Sequence, residues 1–382
     1  MMQRIFHPIG QGAFYSERHQ GFNIVYDCGT EWKNRSNAFY DKVVRQSFKE
    51  SDVIDILFIS HFDYDHVSKI EVLRDHVKEI RFVVLPLLHN NEKILISNIY
   101  RNLDLDISPI IDDPDGFFKD SRVIYVKLGN DKSSETNNSP AIIEEITADS
   151  DGKYKIESKR QLSLSGLPNW VYIPYNYEYT ARNIDLLALL TSEGFDTTKL
   201  QNDSNYSLDK IINDLRISRK LGGKKFKQIY DKLDGKINQN SMTVYSGPFL
   251  DPTFPNIESF YNEYRHFKRI HFYFSIHLGN RVACVFTGDA DLNISTIQTI
   301  YAGLWQYVGT IQIPHHGDLK SFSSSVISDK RSYICPISFG NRNTYGHPSS
   351  LVISKIISKR SYPVFVTEVP STMLIQHIEH RL

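Results

Sequence analysis

The sequence predicts an α/β sandwich, in which two packed β-sheets carry helices on their outer faces. Two stretches of the chain, at residues 1–87 and 241–378, contain short apolar runs with the composition of strands. The clearest run is Val53–Ser60 (VIDILFIS), whose continuous β-branched and apolar character is typical of a buried strand. The stretch between the two groups is polar and mixed. Strands interspersed with few helices therefore favour two packed sheets with helices outside.

The first stretch is predicted to contain four strands and two helices. Phe39, Val43 and Val44 recur at helical spacing, which predicts a helix over Ala38–Phe48. A second helix is expected over about Ser68–Val77. The predicted strands are Ile5–Ile9, Phe22–Tyr26, Val53–Ser60 and Phe82–Leu87.

The middle of the chain is interpreted as a large mixed insertion between two halves of one core. We divide the chain into residues 1–100, 101–236 and 237–382, with the insertion as a candidate substrate or partner element. Within it, Gly129–Pro140 has the composition of a loop, and Trp170–Tyr179 is expected to form an aromatic strand pair or a strand and turn. Helices are expected at Ile184–Leu190 and Leu208–Tyr230.

The C-terminal part is again rich in strands, each of which ends at a polar residue or a glycine. A helix is expected over Pro348–Ser358. The predicted strands are Ser241–Tyr245, His271–His277, Ala283–Thr287, Gly309–Ile313, Tyr333–Ser338, Val364–Glu368 and Met373–Ile378.

The overall charge favours neither nucleic acid nor an anionic membrane as a partner. The 44 Lys and Arg residues balance the 44 Asp and Glu residues, so only a local patch of charge would attract a polyanion. No apolar run approaches the roughly 18 residues that a membrane span needs, and the N-terminus lacks the apolar region of a signal peptide. Cys28, Cys284 and Cys335 are too few and too scattered for a disulfide framework. We therefore expect a cytoplasmic protein without a membrane partner.

The strongest functional signal is the run His61-Phe62-Asp63-Tyr64-Asp65-His66, which follows a buried strand directly. In an extended segment residues i and i+2 point the same way, so His61 and Asp63 can converge on one ion. After the chain turns, Asp65 and His66 can reach a second ion beside it. Imidazole and carboxylate groups suit Zn, Mn or Fe. A charged helix N-terminus would explain the aspartates, but not the two histidines that bracket them.

Three later motifs add candidate ligands, each at the end of a strand or on a turn. Asp289 closes Phe286-Thr287-Gly288-Asp289, where a carboxylate can bridge two cations. His315 and His316 are adjacent and must point in different directions, so one is expected to bind metal while the other orients or touches substrate. His347 lies on a Gly-Pro turn before a helix. Each motif alone is also compatible with an ordinary polar loop.

In this order, the motifs resemble the metallo-β-lactamase superfamily. They are most similar to the soluble hydrolase domain of the DNA-uptake channel protein ComEC and its free-standing relatives. The resemblance rests on Gly10-Gln11-Gly12, Asp27-Cys28-Gly29, the HxDxDH loop, the TGD turn, the PHHG turn and the GHP turn, and it covers about residues 1–87 and 238–348. Two departures lie beside the site: Val67-Ser68-Lys69 stands where glycines are usual, and Asp318 where serine is usual. The implied fold is the αββα sandwich of that superfamily, here with a large mixed insertion.

The resemblance implies a centre of two divalent metal ions, Zn or Mn. His61 and Asp63 would hold one ion and Asp65 and His66 the other, while Asp289 would bridge them. His315 or His316 would complete a coordination sphere, and His347 would bind metal or the charge that develops on the substrate. Asp27 would support the loop without binding metal. The implied catalytic residues are Asp65, Asp289 and His347.

These features predict a dinuclear metal-dependent hydrolase, and most directly a phosphodiesterase or nuclease that uses a metal-bridging hydroxide. A basic run supports nucleic acid as substrate, although such runs are often solvated helix faces. Its members are Arg216, Arg219, Lys220, Lys224, Lys225, Lys227 and Lys232. Tyr172, Tyr175, Tyr177 and Tyr179 would either stack on bases or pack in strands. The alternatives are a small-molecule hydrolase acting on an ester, lactone, amide or cyclic nucleotide, and a partner-regulated subunit that docks a protein through the insertion.

Overall fold

The computed structural model of the chain is a sandwich of two β-sheets with helices on its outer faces. The structure describes residues 2–31, 36–103, 105, 107–129, 139–167, 169–178, 180–206, 210–211, 215, 224–225, 228–229, 232, 240–249, 256–261, 273–274, 278, 281–292, 297–328 and 330–379. The predicted αββα architecture is confirmed.

Ten strands of the described chain form the first sheet. In spatial order they are β13 (Tyr273–Phe274), β12 (Asn256–Tyr261), β18 (Leu374–Glu379), β1 (Met2–Phe6), β2 (Phe14–His19), β3 (Phe22–Cys28), β4 (Val53–Phe58), β5 (Glu79–Pro86), β6 (Arg122–Val126) and β8 (Tyr154–Ile156). From β3 to β8 the neighbouring strands are parallel. The carboxyl ends of β3 and β4 therefore meet at one edge of the sheet, where Asp27 and His61 lie.

The second sheet contains eight strands in the part of the chain that the structure describes. They are β17 (Tyr362–Val366), β16 (Ile334–Ser338), β15 (Val308–Ile311), β14 (Ala283–Phe286), β11 (Asn240–Pro248), β10 (Trp170–Glu178), β9 (Leu162–Ser163) and β7 (Ala141–Ile142). Strands β14 to β17 are parallel. Asp289 follows β14, and the two adjacent histidines follow β15, so both motifs again lie beyond the carboxyl ends of parallel strands.

Short helices connect these strands and cover the outer faces. They are α1 (Asn37–Ser47), α2 (Tyr64–Val67), α3 (Ile70–His76), α4 (Asn90–Asn102), α5 (Ser108–Asp112), α6 (Pro114–Phe117), α7 (Thr180–Ser192), α8 (Thr197–Asn202), α9 (Ile297–Ile300) and α10 (Ser350–Ser358). Among the residues described, no helix combines the length and apolar character that a membrane crossing requires.

Strand β4 shows how the sandwich layers arise from the sequence. Leu57 packs toward the helices on one face, whereas Ile56 and Phe58 pack between the two sheets. Because side chains alternate along a strand, a run that is apolar at nearly every position is buried on both faces. A third apolar cluster covers the outer face of the second sheet and includes Val285 and Ile311.

Residues 101–236, interpreted from the sequence as an insertion, contribute strands to both sheets. β6 pairs with β5 in the first sheet, and β10 pairs with β11 over nine residue pairs in the second. Trp170–Glu178 is thus one long strand and not a strand pair. The predicted helix Leu208–Tyr230 and strand His271–His277 lie mostly outside the described residues. The division at residues 100 and 236 stays a prediction.

The two glycine motifs near the N-terminus let the backbone pack directly against the histidine-rich loop. A Cβ on Gly12 would lie 2.3 Å from the Gly29 carbonyl oxygen and 2.8 Å from that of Asp65. A Cβ on Gly29 would lie 2.5 Å from backbone atoms of His66 and Val67. A flexible side chain could move away from an added Cβ atom, but these backbone atoms cannot. Only glycine therefore fits at these two positions.

We expect Gly29→Ala to lower the free energy of unfolding by roughly 1–3 kcal/mol, because the added methyl group overpacks the loop backbone. Denaturant titration followed by circular dichroism would measure the loss. The matched control is Gly303→Ala, since a Cβ there meets nothing within 4 Å. Equal stability of the two variants would contradict this account of the packing.

Candidate metal centre

The loop after β4 places its histidines and aspartates on one side and Phe62 on the other. Phe62 is buried in the apolar cluster beneath the helices. His61 and Asp63 point the opposite way, with His61 Nε2 3.2 Å from Asp63 Oδ2. The short helix α2 then begins and brings Asp65 and His66 back toward the same point. The extended-then-turned path expected from the sequence is the one observed.

Asp289 lies between histidines from two motifs. Its Oδ1 is 3.2 Å from His66 Nε2, and its Oδ2 is 3.6 Å from His61 Nε2. The turn that presents it needs Gly288, whose φ is +53° and whose Cβ would lie 2.7 Å from the Ser60 side chain. The Gln312 side-chain oxygen accepts hydrogen bonds from the Thr287 and Gly288 amides. Asp289 is thus held with a different oxygen facing each histidine.

The adjacent histidines point in different directions, as the sequence predicts. Both have positive φ, 45° for His315 and 56° for His316, a conformation that non-glycine residues adopt rarely and often at functional sites. His316 Nε2 lies 2.8 Å from Asp65 Oδ2, and its Nδ1 lies 2.7 Å from the Ser338 carbonyl oxygen. His315 Nε2 instead lies 3.7 Å from Asp289 Oδ2.

The candidate ligands form three neighbouring groups. Within each group, the ligand atoms lie within 4.8 Å of one another. Two of these groups share His66. The groups are His61, His66 and Asp289; Asp65, His66 and His316; and His315, Asp318 and His347. These groups contain every ligand proposed from the sequence except Asp63, which lies beside His61. His347 lies with His315 at the rim and not within the first two groups.

Asp318 is a member of the rim group that sequence reasoning missed. Its Oδ2 lies 3.6 Å from His315 Nδ1 and accepts hydrogen bonds from the amide and hydroxyl of Ser321. In the sequence Asp318 stands out only as a departure from the usual serine. Its position three residues after His315 was the feature of the sequence that could have indicated a second ligand beside that histidine.

Asp27 and Ser60 orient the imidazole rings from behind. His66 Nδ1 lies 2.8 Å from Asp27 Oδ2, and the Ser60 hydroxyl donates to the same oxygen at 2.7 Å. His61 Nδ1 lies 2.9 Å from the Ser60 hydroxyl oxygen. In the neutral form of each ring, these contacts place the proton on Nδ1 and the lone pair on Nε2. Asp27 therefore has the supporting position expected of it, and Ser60 joins it.

Burial and charge make the centre suited to a cation. Burial alone would raise the pKa of Asp289, but the positive charges of His315, His66 and His61 outweigh it and hold that pKa well below its usual range. Burial and His66 act to lower the pKa of His61, yet Asp289 and Asp63 outweigh them and raise it to about 9. Protons on the histidines thus neutralise the carboxylates in the absence of a metal ion. A divalent cation would take over that role.

The donor set fits divalent metal ions. His61 Nε2 and His66 Nε2 are buried and, within the described part of the chain, have no hydrogen-bond partner. Each is turned toward carboxylate oxygens at distances of 3.2–3.6 Å. Imidazole nitrogens and carboxylate oxygens that converge on one point are the usual surroundings of Zn or a related ion.

The family model of the metallo-beta-lactamase superfamily matches residues 13–122. This match confirms the resemblance inferred from the motifs, and the sandwich described above is the fold of that superfamily. Its members are mostly metal-dependent hydrolases that use divalent metals, usually zinc. The closer likeness to the ComEC-type domain stays a prediction. No curated protein matches the sequence.

Solved structures with a similar fold have little sequence identity to this chain. Human tRNase Z, short form, is 8% identical, with a TM-score of 0.38, covering 96% of this chain and 92% of that one. A mutant of CmlA beta-hydroxylase is 10% identical, with a TM-score of 0.41, covering 99% of this chain and 54% of the other. The metallo-beta-lactamase fold protein YhfI from Bacillus subtilis is 9% identical, with a TM-score of 0.21 and coverages of 46% and 54%. Similarity at this level does not indicate an activity.

Proposed function

We propose that the protein is a dinuclear metal-dependent phosphodiesterase whose substrate is a nucleic acid. The observation that carries the proposal is the arrangement of two buried ligand groups that share His66. Two cations held side by side can neutralise a phosphodiester while water attacks it. Asp63 stands where the superfamily more commonly has a neutral histidine, so it adds negative charge and favours a harder ion such as Mn beside Zn.

The distances suggest how the ligands divide between the two ions. His61 and His315 face one oxygen of Asp289, Asp63 lies beside His61, and we assign all three to the first ion. Asp65, His66 and His316 lie together on the side of the other oxygen, and we assign them to the second. Asp289 would bridge the two ions. Both adjacent histidines would then hold metal, one at each ion.

When bound, the ions supply Lewis acidity toward water and toward the phosphoryl oxygens. Asp65 is the more exposed of the central carboxylates, with a side-chain exposure of 17% against 4% for Asp289, so we assign it the proton released by the attacking water. His347 is half-buried at the rim, where it would donate a hydrogen bond to the charge developing on the phosphoryl group. The P–O ester bond would break as the bond to the water oxygen forms, and the leaving oxygen would depart as an alkoxide that takes a proton from solvent water.

Support for a nucleic-acid substrate from the basic run is uneven. Lys225 and Lys232 both pair with Glu193, at 2.8 and 3.6 Å, so part of their charge is neutralised within the protein. Lys224 is exposed. Arg216, Arg219, Lys220 and Lys227 lie outside the described residues. We retain the run as a proposed contact with the phosphate backbone.

The aromatic residues of β10 support packing over base stacking. Tyr172 and Tyr175 are buried in the core, and Tyr177 is half-buried. Tyr179 lies outside the described residues. A base cannot stack on a ring that the protein already covers, so we assign no stacking role to Tyr172 and Tyr175.

The test is an assay of the purified protein, with Zn or Mn added back after chelation. Single-stranded and double-stranded DNA, RNA, cyclic dinucleotides and a chromogenic phosphodiester would be compared with chromogenic esters and lactones. We expect cleavage of phosphodiesters and none of the carboxylic esters. Ester cleavage alone would reject the phosphodiesterase.

Replacing Lys220, Lys224 and Lys227 with Ser should weaken binding to DNA or RNA and lower the log–log salt slope by about one per lost phosphate contact. Fluorescence anisotropy at several salt concentrations would measure both quantities. Turnover of a small chromogenic diester should stay unchanged. The matched control is Lys225→Ser, whose ammonium is already paired with Glu193. An unchanged slope in the triple variant would assign the run to a solvated helix face.

A small-molecule hydrolase is the second candidate, because a cavity of about 160 Å³ adjoins the metal loop. Phe62 and Leu87 line it, and Lys93 and Lys153 supply two ammonium groups. A ligand of one ring with an attached anion would suit that lining. Cleavage of cyclic dinucleotides without cleavage of DNA or RNA would favour this candidate. Docking of a protein partner through residues 101–236 and a cytoplasmic location stay predictions.

A further inference from the structure

A buried phenol touches the metal loop from outside the predicted ligand set. Tyr100, on α4, donates a hydrogen bond of 2.5 Å to Asp63 Oδ1. Tyr100 is 0% exposed and Asp63 is 4% exposed, so water does not compete for this bond. Neither the motifs nor the family resemblance assigns a role to Tyr100.

We propose that Tyr100 is a positioning residue that holds Asp63 as a one-oxygen metal ligand and thereby sets the affinity for the first ion. The inference rests on the proposed function, because it requires Asp63 to bind metal. The two carboxylate oxygens of Asp63 have separate partners. Oδ1 accepts a hydrogen bond from the Tyr100 hydroxyl, while Oδ2 faces His61 Nε2 at 3.2 Å. A carboxylate held in this way presents a single oxygen to a cation.

Asp63 needs such support because a carboxylate can rotate about its last bond and can bind through one oxygen or two. Hydrogen bonds from outside the coordination sphere orient a ligand, and their loss typically weakens metal binding 10- to 100-fold. Ser60 and Asp27 do this for His61 and His66. Tyr100 does the same for the aspartate between them.

The phenol can act as a fixed support because α4 is itself anchored on both sides of Tyr100. The Asn98 side chain donates to the carbonyl oxygens of Leu200 and Asp203, which joins α4 to the end of α8. Arg101 pairs with Asp112 at the end of α5. The Tyr100 hydroxyl thus connects the metal loop to a helix that α5 and α8 hold in place.

The test compares metal binding by wild-type protein and Tyr100→Phe. A chromogenic chelator would compete for Zn, and electron paramagnetic resonance would report free Mn. We expect one of the two ions to bind 10- to 100-fold more weakly to Tyr100→Phe, with the other little changed. The matched control is Tyr245→Phe, which removes an equally buried phenol that donates to the Pro248 carbonyl oxygen at 3.0 Å. It should bind both ions as the wild type does.

A double variant separates positioning from a general loss of packing. If Tyr100 acts through Asp63, adding Tyr100→Phe to Asp63→Asn should not weaken metal binding further. Thermal melting of the metal-free proteins would show whether Tyr100→Phe and Tyr245→Phe lose similar stability. Wild-type affinity in a folded Tyr100→Phe would overturn the inference and leave the proposed function standing. Failure of the wild type to bind Zn or Mn would overturn both.

Discussion

Asp65→Asn is expected to reduce phosphodiester hydrolysis by at least about 10²–10³-fold while the protein stays folded. The amide removes the negative charge that pairs with His316 and the basicity assigned to the proton acceptor. Because Asp65 belongs to only one of the two central groups, the variant should keep the first ion and lose affinity for the second. Initial rates on a chromogenic diester and metal analysis by mass spectrometry would measure both effects.

The control for Asp65→Asn is Asp75→Asn, which amidates an exposed carboxylate that pairs with Arg74 on α3. Its rate and metal content should match the wild type. Retention of full activity by Asp65→Asn would remove this residue from the proposed mechanism. Loss of activity with two ions still bound would instead favour the proton-acceptor role over the ligand role.

The prediction of the fold succeeded for strand β4, whose two faces are apolar, and it failed for strand β2, which buries charge. Strand β2 was missed because its sequence, FYSERH, looks solvent-exposed. Yet Ser16 and Glu17 are fully buried, and Glu17 forms a 2.7 Å ion pair with Arg4 between the sheets. A buried charge is tolerated only when it is paired and hydrogen-bonded. For Glu17 the partner, Arg4, comes from another strand. A local pattern does not contain that information.

Helix α4 was missed for a different reason. Leu95, Ile96, Ile99 and Tyr100 have the spacing of one helical face, but three isoleucines and several asparagines lower the helix propensity of the segment. The helix is stabilised instead by its packing against α5 and α8, which a local sequence pattern does not show. The contact between Tyr100 and Asp63, which spans 37 positions, depends on that packing.

The candidate site was predictable at the level of motifs and not of individual contacts. Each motif follows a strand, and the carboxyl ends of parallel strands bring the motifs together. The sequence left open which of the adjacent histidines faces the centre. The positive φ of both residues turns one ring toward Asp289 and the other toward Asp65, an arrangement that no spacing rule contains.

Asp289→Asn is expected to have the largest effect of any single substitution, because Asp289 is the carboxylate that would face both of the proposed ions. Its two oxygens lie near His66 and His61, and the low pKa that the surrounding histidines give it keeps it negatively charged. The neutral amide should reduce the content of both ions together, with hydrolysis lost to the limit of detection. The matched control is Asp55→Asn, an equally buried carboxylate on β4 that pairs with Arg81 away from the centre. That control should lose stability but keep two ions per chain. If Asp289→Asn retained one ion at wild-type affinity, Asp289 would be a ligand of a single site, and the assignment of a bridging carboxylate would be wrong.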